Sequence, residues 1–214
     1  MQDLVKQEQF ELEVLDRLNT CRVLPRLIFG GGTMLRLCHG LNRFSVDLDF
    51  WLRPGEAPKA VHKTMQECLS PYTVTDAADK FHTILFELRT RRFPRALKIE
   101  IRKEHPEVSV EQAIAFSQFS QTQVRVNTVS LPDMMNAKLE ALVNRKEIRD
   151  AFDLEFLFKK GIRPRGTEYY KKATAVIRAF KKNDYRVKLG SVLEAEDRKY
   201  YTERNFNQLL TFII

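Results

Sequence analysis

The sequence has few cysteines, few glycines and no long hydrophobic run. Its three cysteines, Cys21, Cys38 and Cys68, form no CxxC pair. This argues against a zinc site or a disulfide framework and predicts reduced thiols in a cytosol-like compartment. The first residues lack the apolar core of a signal peptide, and no stretch approaches the length of a membrane span. We therefore expect a soluble, cytoplasmic protein with no membrane partner.

Positive charge is abundant but unevenly distributed. The net charge is +8, and residues 159–188 hold eleven Lys or Arg against Glu168 and Asp184, a local charge of +9. A basic segment of this kind is typical of a surface that binds a polyanion such as RNA. A solvated helix face has the same composition, so charge alone leaves both interpretations open.

Hydrophobic periodicity predicts an α+β fold. Helical spacing is found over residues 3–20, 34–41 and 57–69, and alternation typical of strands over residues 26–29, 45–52, 72–75, 83–90, 96–102 and 124–129. From residue 130 onward the pattern is mostly helical. We expect a core with a mixed sheet flanked by helices in residues 1–129. A helical region, residues 130–214, would complete the active-site cleft and carry the basic segment.

An Asp-x-Asp pair lies on the strand predicted over residues 45–52. Side chains alternate along a strand, so Asp47 and Asp49 project to the same face while Val46, Leu48 and Phe50 project to the other. Two neighbouring carboxylates repel unless a cation lies between them or one is protonated. Oxygen ligands suit Mg²⁺, with Mn²⁺ as the substitute, and Glu100 on a later strand is a candidate third ligand. A surface glutamate paired with Lys98 or Arg102 is the alternative for Glu100.

A run of three glycines precedes this strand in the sequence. Gly31, Gly32 and Thr33 join a predicted strand to a predicted helix, where free backbone N–H groups and the helix dipole can bind a phosphate. No Gly-Lys-Ser/Thr follows, so the turn is not a Walker loop. A plain capped turn is the alternative, and the nearby Asp-x-Asp strand favours the phosphate site.

A third group of polar residues lies between residues 138 and 157. On one continuous helix, Lys138, Arg145 and Arg149 would lie within roughly 40° of one another. Because the surrounding residues are rich in Leu, Ala, Val and Phe, these cations are candidates for neutralising a triphosphate. Asp150 and Asp153 would orient them or pair with Arg149 and Arg145. A solvated basic stripe is the alternative.

These stretches resemble one family. GGTMLRL, RFSVDLDF, KIEI and KLEALVNRKEIRDAFDL are similar, in this order, to the AbiEii/AbiGii-type nucleotidyltransferases. These are toxins of bacterial toxin–antitoxin and phage-abortive systems within the DNA polymerase β-like superfamily. The resemblance covers roughly residues 25–157, and the residues after Gly161 carry no recognisable motif.

The resemblance implies roles for individual residues. Gly32 and Thr33 would bind nucleotide phosphates, and Asp47 and Asp49 would hold the metal. Arg43 and Ser45 would contact the nucleotide or support the metal ligands, and Lys138 would bind the triphosphate. The remaining residues of the last motif are Arg145, Arg149, Asp150 and Asp153, of which we group Asp150 with Asp47, Asp49 and Lys138 as the predicted catalytic set.

The expected function is metal-dependent transfer of a nucleoside monophosphate from an NTP to a hydroxyl, with release of pyrophosphate. The resemblance implies RNA, especially the tRNA 3′ end, as acceptor, and a cognate antitoxin encoded nearby. A protein hydroxyl is the competing acceptor. A nucleotide- or RNA-binding module without catalysis, or a structural partner in a two-protein complex, would belong to a different class. Retention of both aspartates favours the enzyme.

Overall fold

A computed structural model describes residues 1–213 of the chain. The chain divides into two compact units. The first unit comprises Met1–Gly40 and Phe44–Val129, and the second comprises Leu41–Arg43 and the chain from Ser130 onward. A three-residue segment between two elements of the first unit therefore belongs, by its contacts, to the second.

The first unit is a mixed sheet with three α-helices. The helices are α1 (Gln2–Thr20), α2 (Gly31–His39) and α3 (Pro58–Cys68). The strands are β1 (Leu27–Gly30), β2 (Asp47–Leu52), β3 (Thr73–Asp79), β4 (Thr83–Arg89), β5 (Leu97–Arg102), β6 (Val110–Ala115) and β7 (Val124–Val129). A short 3₁₀ turn, Leu24–Arg26, leads into β1.

The seven strands lie in the order β3-β4-β5-β2-β1-β7-β6. Strand β2 pairs in parallel with β5 and antiparallel with β1, which pairs in parallel with β7; the remaining pairs are antiparallel. Alternate residues of the central strands, such as Leu48, Phe50, Ile99 and Ile101, are almost completely buried. This alternation leaves the other face of β2 and β5 for polar side chains.

The second unit is helical. It contains α4 (Leu131–Arg145), α5 (Ile148–Lys159), α6 (Tyr170–Ala179), α7 (Ala195–Arg204) and α8 (Asn207–Ile213), with a π-helical turn at Asp184–Leu189 and a 3₁₀ turn at Gly190–Val192. Helix α4 begins in a capping arrangement, because the Ser130 hydroxyl oxygen accepts a hydrogen bond from the backbone N–H of Asp133. The core of the second unit includes Leu139, Leu142, Phe152 and Leu157.

The α+β prediction is confirmed, with two corrections in detail. Strand β6 is not predicted by the sequence pattern, because it is an edge strand whose Val110 and Ile114 are 42% and 46% exposed. The prediction of one helix over residues 138–157 is wrong. The chain turns at Lys146, whose φ is +55°, and a new helix begins at Ile148. Arg149 therefore does not lie on the same face of one helix as Lys138 and Arg145.

The expectation of three reduced thiols is also wrong. Cys21 and Cys68 form a disulfide with a Cα–Cα distance of 5.9 Å, and Cys38 is free. The ends of α1 and α3 meet here, where Arg17 Nε donates to the Cys68 carbonyl at 2.9 Å. Spacing along the sequence could not reveal this pair, because 47 positions separate its members. Within residues 1–213, no helix is long and apolar enough to cross a membrane.

Candidate functional site

The Asp-x-Asp pair lies on β2, in the middle of the sheet. Asp47 and Asp49 are partly exposed, and Leu48 and Phe50 on the opposite face are buried. In the parallel pairing with β5, Asp47 lies opposite Lys98 and Asp49 opposite Glu100. Residues in register on parallel strands share a face, so β2 and β5 together present three carboxylates and one ammonium group.

The glycine turn is bonded directly to this strand. Thr33 is completely buried, and its hydroxyl donates to the Asp47 carbonyl at 2.5 Å. Gly31, the first residue of α2, has a φ of +73°, and a Cβ placed there would lie 2.8 Å from the Cβ of Asp49. Glycine is therefore required at position 31 for both conformation and space. The turn and the two aspartates form one fixed arrangement.

Lys98 and Glu100 are bound to each other. Lys98 Nζ lies 2.6 Å from Glu100 Oε2. The hydrogen bond to Glu100 raises the pKa of Lys98 above its ordinary value, and the charges of Asp47 and Asp49 add to this shift. Lys98 therefore remains protonated within a group of carboxylates. The ion pair is the alternative that the sequence left open for Glu100, and its role as a metal ligand stays a prediction.

The donor set of this face fits a hard divalent cation. Mg²⁺ is usually bound by one or two carboxylates together with substrate phosphates and water. Within residues 1–213, however, no group of three or more His, Cys, Asp or Glu side chains is arranged to hold a metal ion. The observed arrangement thus fits two aspartate ligands, with Glu100 engaged by Lys98.

A buried polar layer that the sequence analysis missed runs along α1. Gln7, Glu8 and Glu11 are at most 3% exposed. Gln7 Nε2 donates to the carbonyls of Val46, at 3.1 Å, and Ala96, at 3.3 Å, and so joins the chain just before β2 to the chain just before β5. The signal was present in the sequence, because these polar residues occupy the same helical stripe as Leu4, Leu15 and Leu18.

Two carboxylates of this layer differ in their partners. Glu8 binds Arg36 and accepts a hydrogen bond from the Ser117 hydroxyl. Glu11 is buried without a hydrogen-bond partner for either oxygen among the described residues. Burial raises the pKa of Glu11 well above its ordinary value, and Glu8 and Asp47 raise it further against the opposing effect of Arg36. Burial thus favours the protonated form of Glu11, whose carboxyl group lies near Asp47 of β2.

In the second unit, Asp153 is the centre of a buried ion-pair cluster. Arg43 contacts it twice, from Nε to Oδ1 at 2.6 Å and from Nη2 to Oδ2 at 2.8 Å. Lys138 Nζ lies 2.6 Å from the Asp153 Oδ2 atom. Burial alone would raise the pKa of Asp153, but Arg43 and Lys138 outweigh it and hold the pKa below its ordinary value. The predicted nucleotide contact Arg43 is thus engaged by a carboxylate.

Asp150 is the second carboxylate of this cluster. Arg145 Nη2 lies 2.8 and 2.9 Å from its two oxygens, and Lys138 Nζ lies 3.3 Å from Oδ1. The Arg145 side chain is 60% exposed, whereas the Lys138 side chain is 10% exposed. Within residues 1–213, Arg149 and Ser45 take part in no ion pair or side-chain hydrogen bond. Lys138 thus has two anionic partners, Asp150 and Asp153, each shared with an arginine, and Arg145 has one.

Comparison with known proteins agrees with these features. The model of the AbiEii nucleotidyl transferase toxin family, from type IV toxin–antitoxin systems, matches residues 13–211. In fold, the chain resembles JHP933 from Helicobacter pylori, with 20% identity and a TM-score of 0.54 over 95% of this chain and 92% of the other. A candidate nucleotidyltransferase from H. pylori is similar, with 19% identity and a TM-score of 0.54 over 95% of each chain. No curated protein matches the sequence.

The family match identifies the protein as a nucleotidyltransferase, and its mixed sheet carries the glycine turn and the Asp-x-Asp strand described above. The chain belongs to the AbiEii nucleotidyl transferase toxin family of type IV toxin–antitoxin systems. Membership of a type IV toxin–antitoxin family implies that the toxin has a cognate antitoxin.

Proposed function

We propose that this toxin transfers a nucleoside monophosphate from an NTP to a hydroxyl of RNA, with tRNA as the acceptor that the family resemblance favours. The acceptor oxygen forms a bond to the α-phosphorus, and the bond from that phosphorus to the bridging oxygen breaks to release pyrophosphate. The observation that carries the proposal is the hydrogen bond from Thr33 to the Asp47 carbonyl, because it fixes the glycine turn relative to the carboxylates.

Phosphate binding is assigned to the start of α2. The first N–H groups of an α-helix have no partner within the helix, and the helix dipole favours an anion there. Gly31 and Gly32 carry no side chains that would block a phosphate. The Thr33 hydroxyl already donates its hydrogen to Asp47, so its phosphate contact would come from the backbone N–H.

Asp47 and Asp49 are proposed to hold Mg²⁺ or Mn²⁺, with Glu100 as a further ligand if Lys98 releases it. A bound divalent cation would polarise the phosphate and lower the pKa of the acceptor hydroxyl. The chain's own contribution is to hold the two aspartates on one face, with Gly31 packed against Asp49. Lys98 limits the repulsion between these carboxylates before any cation binds.

The cations of the second unit are proposed to neutralise the triphosphate. Arg145 and Arg149 are the more accessible of them, whereas Lys138 is buried between Asp150 and Asp153. A phosphate that bound Lys138 would compete with both carboxylates. We therefore assign Asp150 and Asp153 the role of holding Lys138, Arg145 and Arg43 in place.

Free positive charge supports RNA as the acceptor. Several cations of the basic segment are engaged, such as Arg165 with Asp133 and Lys188 with Asp184. Six others are exposed, and their side chains take part in no ion pair or hydrogen bond within residues 1–213: Lys171, Lys172, Arg178, Lys181, Lys182 and Arg186. Exposed Lys and Arg side chains neutralise backbone phosphates and release counterions when RNA binds.

The test is incubation of the purified protein with each α-labelled NTP, Mg²⁺, total RNA and a cell protein extract. The proposal predicts label that is sensitive to ribonuclease and resistant to protease. Label that is sensitive to protease instead would identify a protein hydroxyl as the acceptor. Absence of labelled product with every NTP would contradict catalysis and favour a nucleotide-binding module.

A further inference from the structure

The second unit contains a cavity that none of the roles above uses. It has a volume of about 360 Å³ and is lined by Asn136, Leu139 and Glu140 of α4 and by Arg165, Gly166, Glu168 and Tyr169 of the segment before α6. This volume lies within the range of small-molecule sites. The cavity is therefore large enough for a flat heterocycle.

The cavity lies on a different face of α4 from the ion-pair cluster. On an ideal helix, Asn136 and Glu140 each project roughly 160° away from Lys138, and they lie roughly 40° from each other. Lys138 contacts Asp150 and Asp153 on its own side of α4. A ligand in the cavity would thus contact side chains other than those that hold the buried cations.

The cavity lining, which the basic segment shares with α4, carries two carboxylates, Glu140 and Glu168, against one cation, Arg165. Arg165 is matched by Asp133 at 2.6 Å. Glu140 and Glu168 are exposed, and neither forms an ion pair or hydrogen bond within the described part of the chain. The other acid of the basic segment, Asp184, is paired with Lys188 at 3.0 Å. The cavity therefore repels phosphate and offers acceptors to N–H donors.

The remaining lining suits a planar ligand. Asn136 Oδ1 accepts a hydrogen bond from the Arg165 backbone N–H at 3.0 Å, which leaves the amide nitrogen of Asn136 as a donor. Leu139 is buried and Tyr169 is half-buried, and both line the cavity. Aromatic side chains stack on bases of every type, and carboxylates accept hydrogen bonds from the amino groups of cytosine and adenine.

We propose that this cavity binds an unpaired base of the acceptor RNA, through Tyr169 stacking and acceptance of base amino hydrogens by Glu140 and Glu168. The inference rests on the proposed RNA acceptor and adds base selection to it. Lys171 and Lys172, exposed in the first turn of α6, follow Tyr169 closely in the chain and supply phosphate contacts beside the base. Bases that carry an amino group are favoured over uracil, which has a carbonyl acceptor at that position.

The experiment measures fluorescence anisotropy of labelled oligo(rC), oligo(rA) and oligo(rU) with the full-length protein at fixed salt. Wild type is expected to bind oligo(rC) or oligo(rA) at least roughly fivefold more tightly than oligo(rU). The Glu140→Gln, Glu168→Gln double variant is expected to bind all three about equally, because an amide is an uncharged, weaker acceptor for base amino hydrogens and its N–H₂ can donate to the uracil carbonyl. Tyr169→Leu is expected to weaken all three at least about fivefold, and Tyr169→Phe to retain binding.

Loss of negative charge alone strengthens RNA binding without changing base preference, so a matched control is needed. Glu203→Gln removes an exposed carboxylate of α7 outside the cavity and should leave the ratio of affinities unchanged. RNA binding without base preference in wild type, or a preference that survives in the double variant, would overturn the cavity proposal and leave the RNA acceptor standing. Spermidine binding that depends on Glu140 and Glu168, with base preference unaffected, would reassign the cavity to amines. Failure to bind or label any RNA would remove both proposals.

Discussion

The two units of this toxin use carboxylates in opposite ways. In the first unit, Asp47 and Asp49 are partly exposed on one face of a strand, with Lys98 opposite Asp47 and Glu100 opposite Asp49 in the sheet. In the second unit, Asp150 and Asp153 are buried, and each is bound by two cationic side chains. The second pair is thus neutralised by the chain, whereas the first pair is the one proposed to hold a metal ion. We infer catalysis from the first and positioning from the second.

The largest expected effect comes from removing either carboxylate of β2. Asp47→Asn or Asp49→Asn should reduce transfer by at least about 10²-fold, because a metal contributes several kcal/mol to transition-state stabilisation. The fold should persist, since loss of one charge relieves repulsion in the metal-free protein. Single-turnover kinetics and thermal melting without Mg²⁺ check both statements. Full residual activity in either variant would remove that aspartate from the site.

Breaking the buried cluster should affect stability first. Asp153→Ala leaves Arg43 and Lys138 without their shared carboxylate, and removal of one partner from a buried pair costs about 3–5 kcal/mol. The pKa of Asp153 in the folded protein lies below its ordinary value of 3.8. The stability that ionised Asp153 contributes is therefore present above pH 3.8 and is lost as the pH falls through the pKa of the folded state. Urea unfolding at neutral and acidic pH measures this. A variant as stable as wild type at neutral pH would contradict the cluster's role.

The glycine turn permits a matched pair of substitutions. Gly31→Ala introduces strain at a φ of +73° and a clash with Asp49, whereas Gly55→Ala introduces strain at a φ of +87° in open space. Both should be destabilised, by about 1–3 kcal/mol at position 31 and less at position 55. We expect only Gly31→Ala to lose NTP-dependent transfer. Equal activity losses in the two variants would show that the contact with Asp49 has no specific part in catalysis.

The smallest effect should be a gain in stability. Glu11→Gln removes a buried group whose ionisation is disfavoured by burial, and should stabilise the protein by about 1–3 kcal/mol at pH 8, where wild type bears the cost of ionising Glu11 or of keeping it protonated. The pKa of Glu11 in the folded protein lies above its ordinary value of 4.5. Wild type therefore loses stability as the pH rises from 4.5 through the pKa of the folded state. The advantage of the variant should therefore grow over that interval. Unfolding measurements at pH 4 and pH 8 test this, and an advantage independent of pH would contradict a raised pKa of Glu11.

The sequence predicted the arrangement of the polar side chains on β2 better than that on α4 and α5, for a physical reason. Alternation along β2 is strictly local, so the common face of Asp47 and Asp49 followed from their spacing alone. The stripe through Lys138 and Arg149 required an unbroken helix, and a single left-handed residue at Lys146 ended it. No glycine or proline marks this break.

Tertiary partners were the remaining features that the sequence could not provide. The Cys21–Cys68 disulfide joins the ends of two helices far apart in the chain, and Arg43 meets Asp153 across 110 positions. Neither pair has a local pattern. The buried Gln7, Glu8 and Glu11 were detectable as polar residues on the apolar stripe of α1, but their hydrogen-bond partners were not.

The central claim is that the glycine turn and the β2 aspartates carry out nucleotidyl transfer, and labelled phosphorus tests it most directly. The protein is incubated with RNA and Mg²⁺ and with the same NTP labelled at either the α- or the γ-phosphate. We predict that the α-label enters RNA and the γ-label appears in pyrophosphate, and that Asp49→Asn abolishes both. Entry of the γ-label into the acceptor, or α-labelling undiminished in Asp49→Asn, would contradict the account.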